Sequence, residues 1–216
     1  PERNERRDGQ RIRARDALAL VRREPRLRRY LIGTSVFAGI RVSVLPFALV
    51  MLRRELGFAN ATVVLTTISL YFGGLVSLYL WGALIDRLGA YVVFRGAALG
   101  TAALYVGLAF LAAAGSAALP LAIAFFFAQA VLAAGFGVAD TRVLFELTPP
   151  ESPAPTIVLS SVAVGVVCGL APLLAGIVLD ALLSHAQPLG VYRGFFLTAA
   201  AFQSLSFLPL RIFRRA

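Results

Sequence analysis

Six apolar stretches, at about 30–52, 62–85, 91–114, 118–145, 156–182 and 191–211, constrain this chain more than any other feature. A helix needs roughly 20 apolar residues to cross the hydrocarbon core of a bilayer, and each stretch meets that length. In lipid the backbone can satisfy its own hydrogen bonds only as helices or as a closed barrel. A barrel would need strands of about ten residues alternating apolar and polar side chains, and these runs do not alternate. Apolar residues make up 59% of the 216 and are concentrated after residue 30, against about 45–50% in soluble domains. The expectation is an all-α polytopic membrane protein with six transmembrane helices and no soluble domain.

Charge sets the expected orientation. All 21 basic residues are Arg, against 11 acids, for a net charge of +10. Residues 1–30 hold 11 of those Arg with Glu2, Glu5, Asp8, Asp16 and Glu24. With the N-terminus inside, the inner side receives those Arg together with Arg87, Arg95, Arg142, Arg211, Arg214 and Arg215. The outer side receives only Arg53, Arg54 and Arg193. Basic residues favour the cytoplasmic side, so both termini are expected there, in the inner membrane of a bacterium. No stacking platform or recognised motif accompanies the basic tail, so nucleic acid is not an expected partner. Cys168 is the sole cysteine and His185 the sole histidine, so no intrachain disulfide, Cys/His metal site or cofactor is expected. The chain opens on Pro1 with no signal peptide and reads as the latter part of a longer protein.

Short connections join the stretches. Leu56–Thr62 links the first two, with Asn60 or Thr62 as the expected N-cap. Pro120 suits the first turn of the fourth helix. Thr148-Pro149-Pro150-Glu151-Ser152-Pro153-Ala154-Pro155 reads as a rigid, helix-breaking connector. Gly96 with Gly100, and Gly165 with Gly169, have the four-residue spacing that lets membrane helices approach closely. Pro46, Pro172 and Pro209 each remove a backbone donor within or near an apolar run.

Polar residues inside the runs are the candidate functional groups. Arg41 lies about 15 Å along the first helix from Leu31, near the bilayer midplane, where an Arg needs water or a partner. It reads either as a substrate or proton-coupling contact or as a structural Arg bonded to helix carbonyls or to an acid elsewhere. Thr66, Thr67, Ser69, Tyr71, Ser160, Ser161 and Gln203 are milder candidates, since hydroxyls often bond back to their own helix. Gln129 ranks above them, because a buried amide needs partners at both ends. Asp140, Arg142 and Glu146 gather near the end of the fourth run, where they are expected to form an ion network with Asp86 and Arg87.

The short stretch Trp81-Gly82-Ala83-Leu84-Ile85-Asp86-Arg87-Leu88-Gly89 puts an Asp-Arg pair in the tight connection between the second and third runs. A charge pair at a membrane boundary is costly, and its position suits a part that locks and unlocks two helices. Gly82 to Gly89 resembles the G-x-L-x-D-R-x-G signature of the major facilitator superfamily, which lies between the second and third helices of each six-helix half. The family pattern continues with two basic residues, where this chain has Ala90 and Tyr91. Glu146–Glu151 is similar to the family's acidic, proline-rich connector. Gly169–Gly176 followed by Asp180 is similar to its eleventh helix, and Arg26–Tyr30 to the approach to helix seven.

The resemblance covers about residues 20–212 and implies helices seven to twelve of a twelve-helix secondary transporter. Residues 1–29 would be its central cytoplasmic loop, 30–212 the six-helix half and 213–216 a tail. A missing N-terminal half would complete the cavity, with Arg41, Thr67, Tyr71 and Gln129 on cavity-lining helices and Gln203 on a peripheral one. Gly82, Asp86, Arg87 and Gly89 would form the conformational gate. The implied function is proton-coupled export of a small molecule, of the drug or metabolite efflux type, by alternating access. A non-transporting scaffold or sensor and a half-size homodimeric carrier are the rival expectations. No H-E-x-x-H, G-x-S-x-G or paired membrane acids point to an enzyme.

Overall fold

A computed structural model describes residues 21, 23–148 and 153–206. The Arg-rich residues 1–20, the connector residues Pro149–Ser152, Pro209 and the terminal Arg211, Arg214 and Arg215 lie outside the described residues. Six α-helices account for most of what is described: α1 (Pro25–Arg54), α2 (Asn60–Leu88), α3 (Ala90–Ala109), α4 (Ala118–Leu147), α5 (Pro153–Leu183) and α6 (Pro188–Leu205). A 3-10 helix, Leu111–Ala117, joins α3 to α4. Five spans are long and apolar enough to cross a membrane, the fourth being Leu111–Leu147. The described part of α6 has 18 residues, and the end of the sixth expected stretch lies beyond it.

Local chemistry places the ends, and several differ from expectation. Neither Asn60 nor Thr62 caps α2; the cap position is Ala59, in extended backbone, whose carbonyl accepts from the Thr62 and Val63 amides. Asp86 and Arg87 belong to the last turn of α2, so the connection to α3 is Gly89 alone, at φ 83. That left-handed conformation costs an L side chain roughly 1–2 kcal/mol and glycine nothing. The third stretch was expected to run to 114, but α3 stops at Ala109. The following small residues carry apolar character without a continuous helix, and Gly115 departs to φ 55, ψ −123. Helices α1 and α5 continue through Pro46 and Pro172. Each proline leaves the carbonyl four residues earlier, at Val42 and Cys168, without its helical donor.

Helix packing follows a repeating scheme. The most extensive pairs are α2 with α4, α1 with α5, α3 with α4, and α3 with α6, followed by α1 with α6. Exchanging each helix for the one three positions later turns α2–α4 into α5–α1, α3–α4 into α6–α1, and α3–α6 into itself. The two triplets therefore pair equivalent helices, with α3–α4 a more extensive contact than its counterpart α1–α6. Helices α2 and α4 run parallel: Ser69 meets Ile123, Gly73 meets Phe127, Trp81 meets Val131 and Gly135, and Asp86 meets Arg142. Helices α1 and α5 also run parallel, with Gly39 against Val167 and Ala171 and Phe47 against Gly176. The start of α1 meets the end of α4 through Tyr30 and Asp140. The two triplets thus enter the bundle from opposite ends.

Two apolar clusters fill the interior. One holds Tyr30, Phe37, Phe94 and Phe136, with Phe37 stacked on Phe136 at 3.5 Å. The other holds Met51, Leu52, Tyr105, Phe126, Tyr192 and Phe196. At that end Arg193 lies 4.1 Å over the Phe110 ring, tying the start of α6 to the end of α3. Burial is uneven: about half of the central window of α1 and of α3 is buried, against 17% for α2 and 6% for α5. Helices this apolar and this exposed suit a membrane-embedded protein.

Candidate functional site

Polar chemistry gathers at the Gly89 end and in the interior near mid-bundle. At the Gly89 end, Arg142 Nη1 of α4 donates to Asp86 Oδ1 of α2 at 2.8 Å, and Arg142 Nε lies 3.8 Å from Glu146 Oε1. These side chains are more than half exposed, so the bridge adds at most about 1 kcal/mol of stability. Its significance is geometric, since it joins the last turns of two parallel helices. Arg87 and Gly89 are exposed. A Cβ at Gly82 would meet nothing within 4 Å, so Gly82 is not required for close packing.

The expected ion network is split. Asp140 takes part in neither ion pair among the described residues. Its Oδ1 instead accepts from the Tyr30 hydroxyl of α1 at 2.8 Å. Helix geometry explains the split: residues two apart point about 200° apart, whereas Arg142 and Glu146, four apart, share a face. Tyr30 was not among the expected site residues. Its signal was a lone tyrosine at the start of an apolar run.

At mid-bundle, Gln129 of α4 is buried and its Nε2 donates to the Tyr105 hydroxyl of α3 at 3.3 Å. Gln129 Oε1 has no partner among the described residues. The half-buried Arg41 of α1 lies near enough for its charge to act on the Tyr105 hydroxyl. Gln129 is thus paired with a tyrosine that was not among the expected site residues, and the Arg41 charge lies within electrostatic reach of that tyrosine.

The other two cavity candidates lie on α2. Thr67 donates to its own helix at the Val63 carbonyl, 3.1 Å away, as hydroxyls in helices often do. Tyr71 is 75% exposed, beside Leu75 on the outward face of α2. Thr66 also bonds back to Val63, and Ser69 bonds back to the Thr66 carbonyl at 2.6 Å with the Ile123 carbonyl of α4 as a second acceptor at 3.2 Å. Gln203 is fully buried with both amide atoms unpartnered among the described residues, as is Thr101 Oγ1.

Close helix approach falls on glycines outside the expected pairs. A Cβ on Gly73 would lie 2.5 Å from the Phe127 carbonyl oxygen, one on Gly135 2.5 Å from the Trp81 indole, and one on Gly39 2.7 Å from Val167. Trp81 is fixed there by donating from Nε1 to the Val131 carbonyl at 2.7 Å. Gly96, Gly165 and Gly169 face open space, and only Gly100 of the expected pairs is tight, against Leu132. No protein-family model, curated protein or solved structure matches the chain.

Proposed function

We propose that this chain is a six-span half of a secondary active transporter of the major facilitator type, with all six helices crossing a bacterial inner membrane. Both ends are then cytoplasmic, and the Gly89 end is the inner face. The observation that carries the reading is the inverted pair of triplets, locked at one end by the motif residue Asp86 through Arg142. Inverted repeats of three helices let one scaffold open to either side of a membrane around a fixed midplane site. Arg41, Tyr105 and Gln129 are the polar groups available at such a site. The exposed faces of α2 and α5 leave room for a second six-helix unit, either an N-terminal half or a second copy.

In this reading the Asp86–Arg142 bridge belongs to a conformation closed on the inner side. Opening separates the ends of α2 and α4, and because the bridge is wet, breaking it is inexpensive. That is the property a reversible latch needs. The cargo is a small molecule exported against protons, and the bilayer supplies the remaining contacts.

Everted membrane vesicles containing the full-length protein test the proposal. With an imposed pH gradient followed by a fluorescent dye, added ethidium should discharge the gradient, and Arg41→Ala should abolish the discharge. A panel of cationic, neutral and anionic probes that leaves the gradient intact would overturn the carrier reading and favour a scaffold or sensor.

A further inference from the structure

Asp140 is an acid that the latch does not use, and its surroundings are unlike those of Asp86. Its Oδ1 accepts from the Tyr30 hydroxyl at 2.8 Å, and that hydroxyl also lies 3.2 Å from the Asp140 backbone carbonyl. Tyr30 has no exposed surface, and Ser160 of α5, itself buried, lies beside the same phenol. Three helices, α1, α4 and α5, therefore meet around one phenol. Around it the wall is apolar, with Leu27, Leu31, Phe136, Ala139 and Val143 in one cluster.

Among the described residues the donor that serves this carboxyl, the Tyr30 hydroxyl, is neutral. The ion pairs of the same end go elsewhere: Arg142 is committed to Asp86 and Glu146. The remaining ionisable groups described at this end are Arg23, Glu24, Arg26, Arg28 and Arg29 around the start of α1, Arg87 on α2, and Tyr91 and Arg95 on α3, with Tyr91 near enough to feel the charge of Glu146. Asp140 is partly buried, and a carboxylate so placed beside a neutral donor is relieved by taking up a proton. Both states fit the geometry. The carboxylate accepts from the phenol; the acid can turn its own O–H toward the phenol oxygen, with a weaker neutral bond in place of a charge-assisted one.

We propose that Asp140, held by Tyr30, is a proton-binding site whose loading loosens the junction of α1 with α4. The proton comes from water and returns to it, and no other bond changes. Asp140 lies two residues before Arg142, so a change at the junction is transmitted along the same helical turn to the latch. As the place where a coupled proton binds, the site rests on the carrier reading above; as a titrating carboxyl it does not.

Infrared difference spectroscopy of the full-length protein in lipid nanodiscs, between acid and alkaline buffer, reads the site without any substrate. The wild type should show a protonated-carboxyl C=O band that titrates, and Asp140→Asn should remove it. Tyr30→Phe withdraws the donor to the carboxylate and should raise the midpoint by about one pH unit. Asp140→Glu keeps a carboxyl and should displace the band, which preserves the test if the Asn variant fails to fold. A band that survives Asp140→Asn, or a midpoint indifferent to Tyr30→Phe, would overturn the proposal. Titration of Asp140 without discharge by any probe would keep the site and reject only the carrier reading.

Discussion

Asp86 and Asp140 carry the same functional group at the same end of the bundle, yet one lies in a wet bridge and the other against a buried phenol. The difference follows from helical phase and is invisible in composition. For Asp86→Ala, thermal unfolding should register a loss of about 1 kcal/mol or less. The double exchange Asp86→Arg with Arg142→Asp should restore the probe-driven discharge that the single change weakens; no restoration would remove the latch role. Gln129 gives a second test. Its Oε1 is unpartnered among the described residues, so Gln129→Leu removes an unsatisfied acceptor but also takes the Nε2 donor from the buried Tyr105 hydroxyl. The two effects offset, so unfolding temperature should stay near that of wild type while discharge falls, and a fall in both would make Gln129 structural.

At the scale of elements, the α2–α4 contact decides how the bundle closes. Gly73 meets backbone, which cannot move aside, so Gly73→Ala should destabilise by about 1–3 kcal/mol. Gly165→Ala meets open space and should stay within about 0.5 kcal/mol of wild type. Comparable losses at both positions would contradict this packing. The spans themselves were legible in the sequence, because length and apolarity are properties of the chain alone. Of the tight glycines only Gly100 was, since Gly96 with Gly100 and Gly165 with Gly169 have the recognised spacing and Gly73 and Gly135 do not. Which glycine is needed depends on where a neighbour's backbone or indole happens to lie.

For the whole molecule, the exposed apolar faces of α2 and α5 carry the prediction. Tyr79 and Ile177 are 86% and 68% exposed, and a second six-helix unit is expected to cover part of these faces. Cysteines introduced at 79 and 177, each in a Cys168→Ser background, should cross-link within native membranes. Mass spectrometry should then find a species near twice 23.0 kDa, if the partner is a second copy. Labelling at both positions by a lipid-soluble maleimide, with no cross-link, would leave those faces to lipid.

The sequence by itself determined the membrane character, the approximate limits of the apolar helices and the position of the Asp86–Arg87 pair at a helix junction. These depend on hydropathy, on glycine's freedom at Gly89 and on proline's fit to a first helical turn, all local properties. Only the tertiary structure decided that Asp140 turns to Tyr30, that Gln129 meets Tyr105, that Thr67 bonds back to its own helix and that Tyr71 is exposed. The physical reason is that a helix apolar on every side carries no stripe from which its buried face can be read. In such helices the contacts of neighbouring elements, and not the pattern of the chain, choose which polar group meets which.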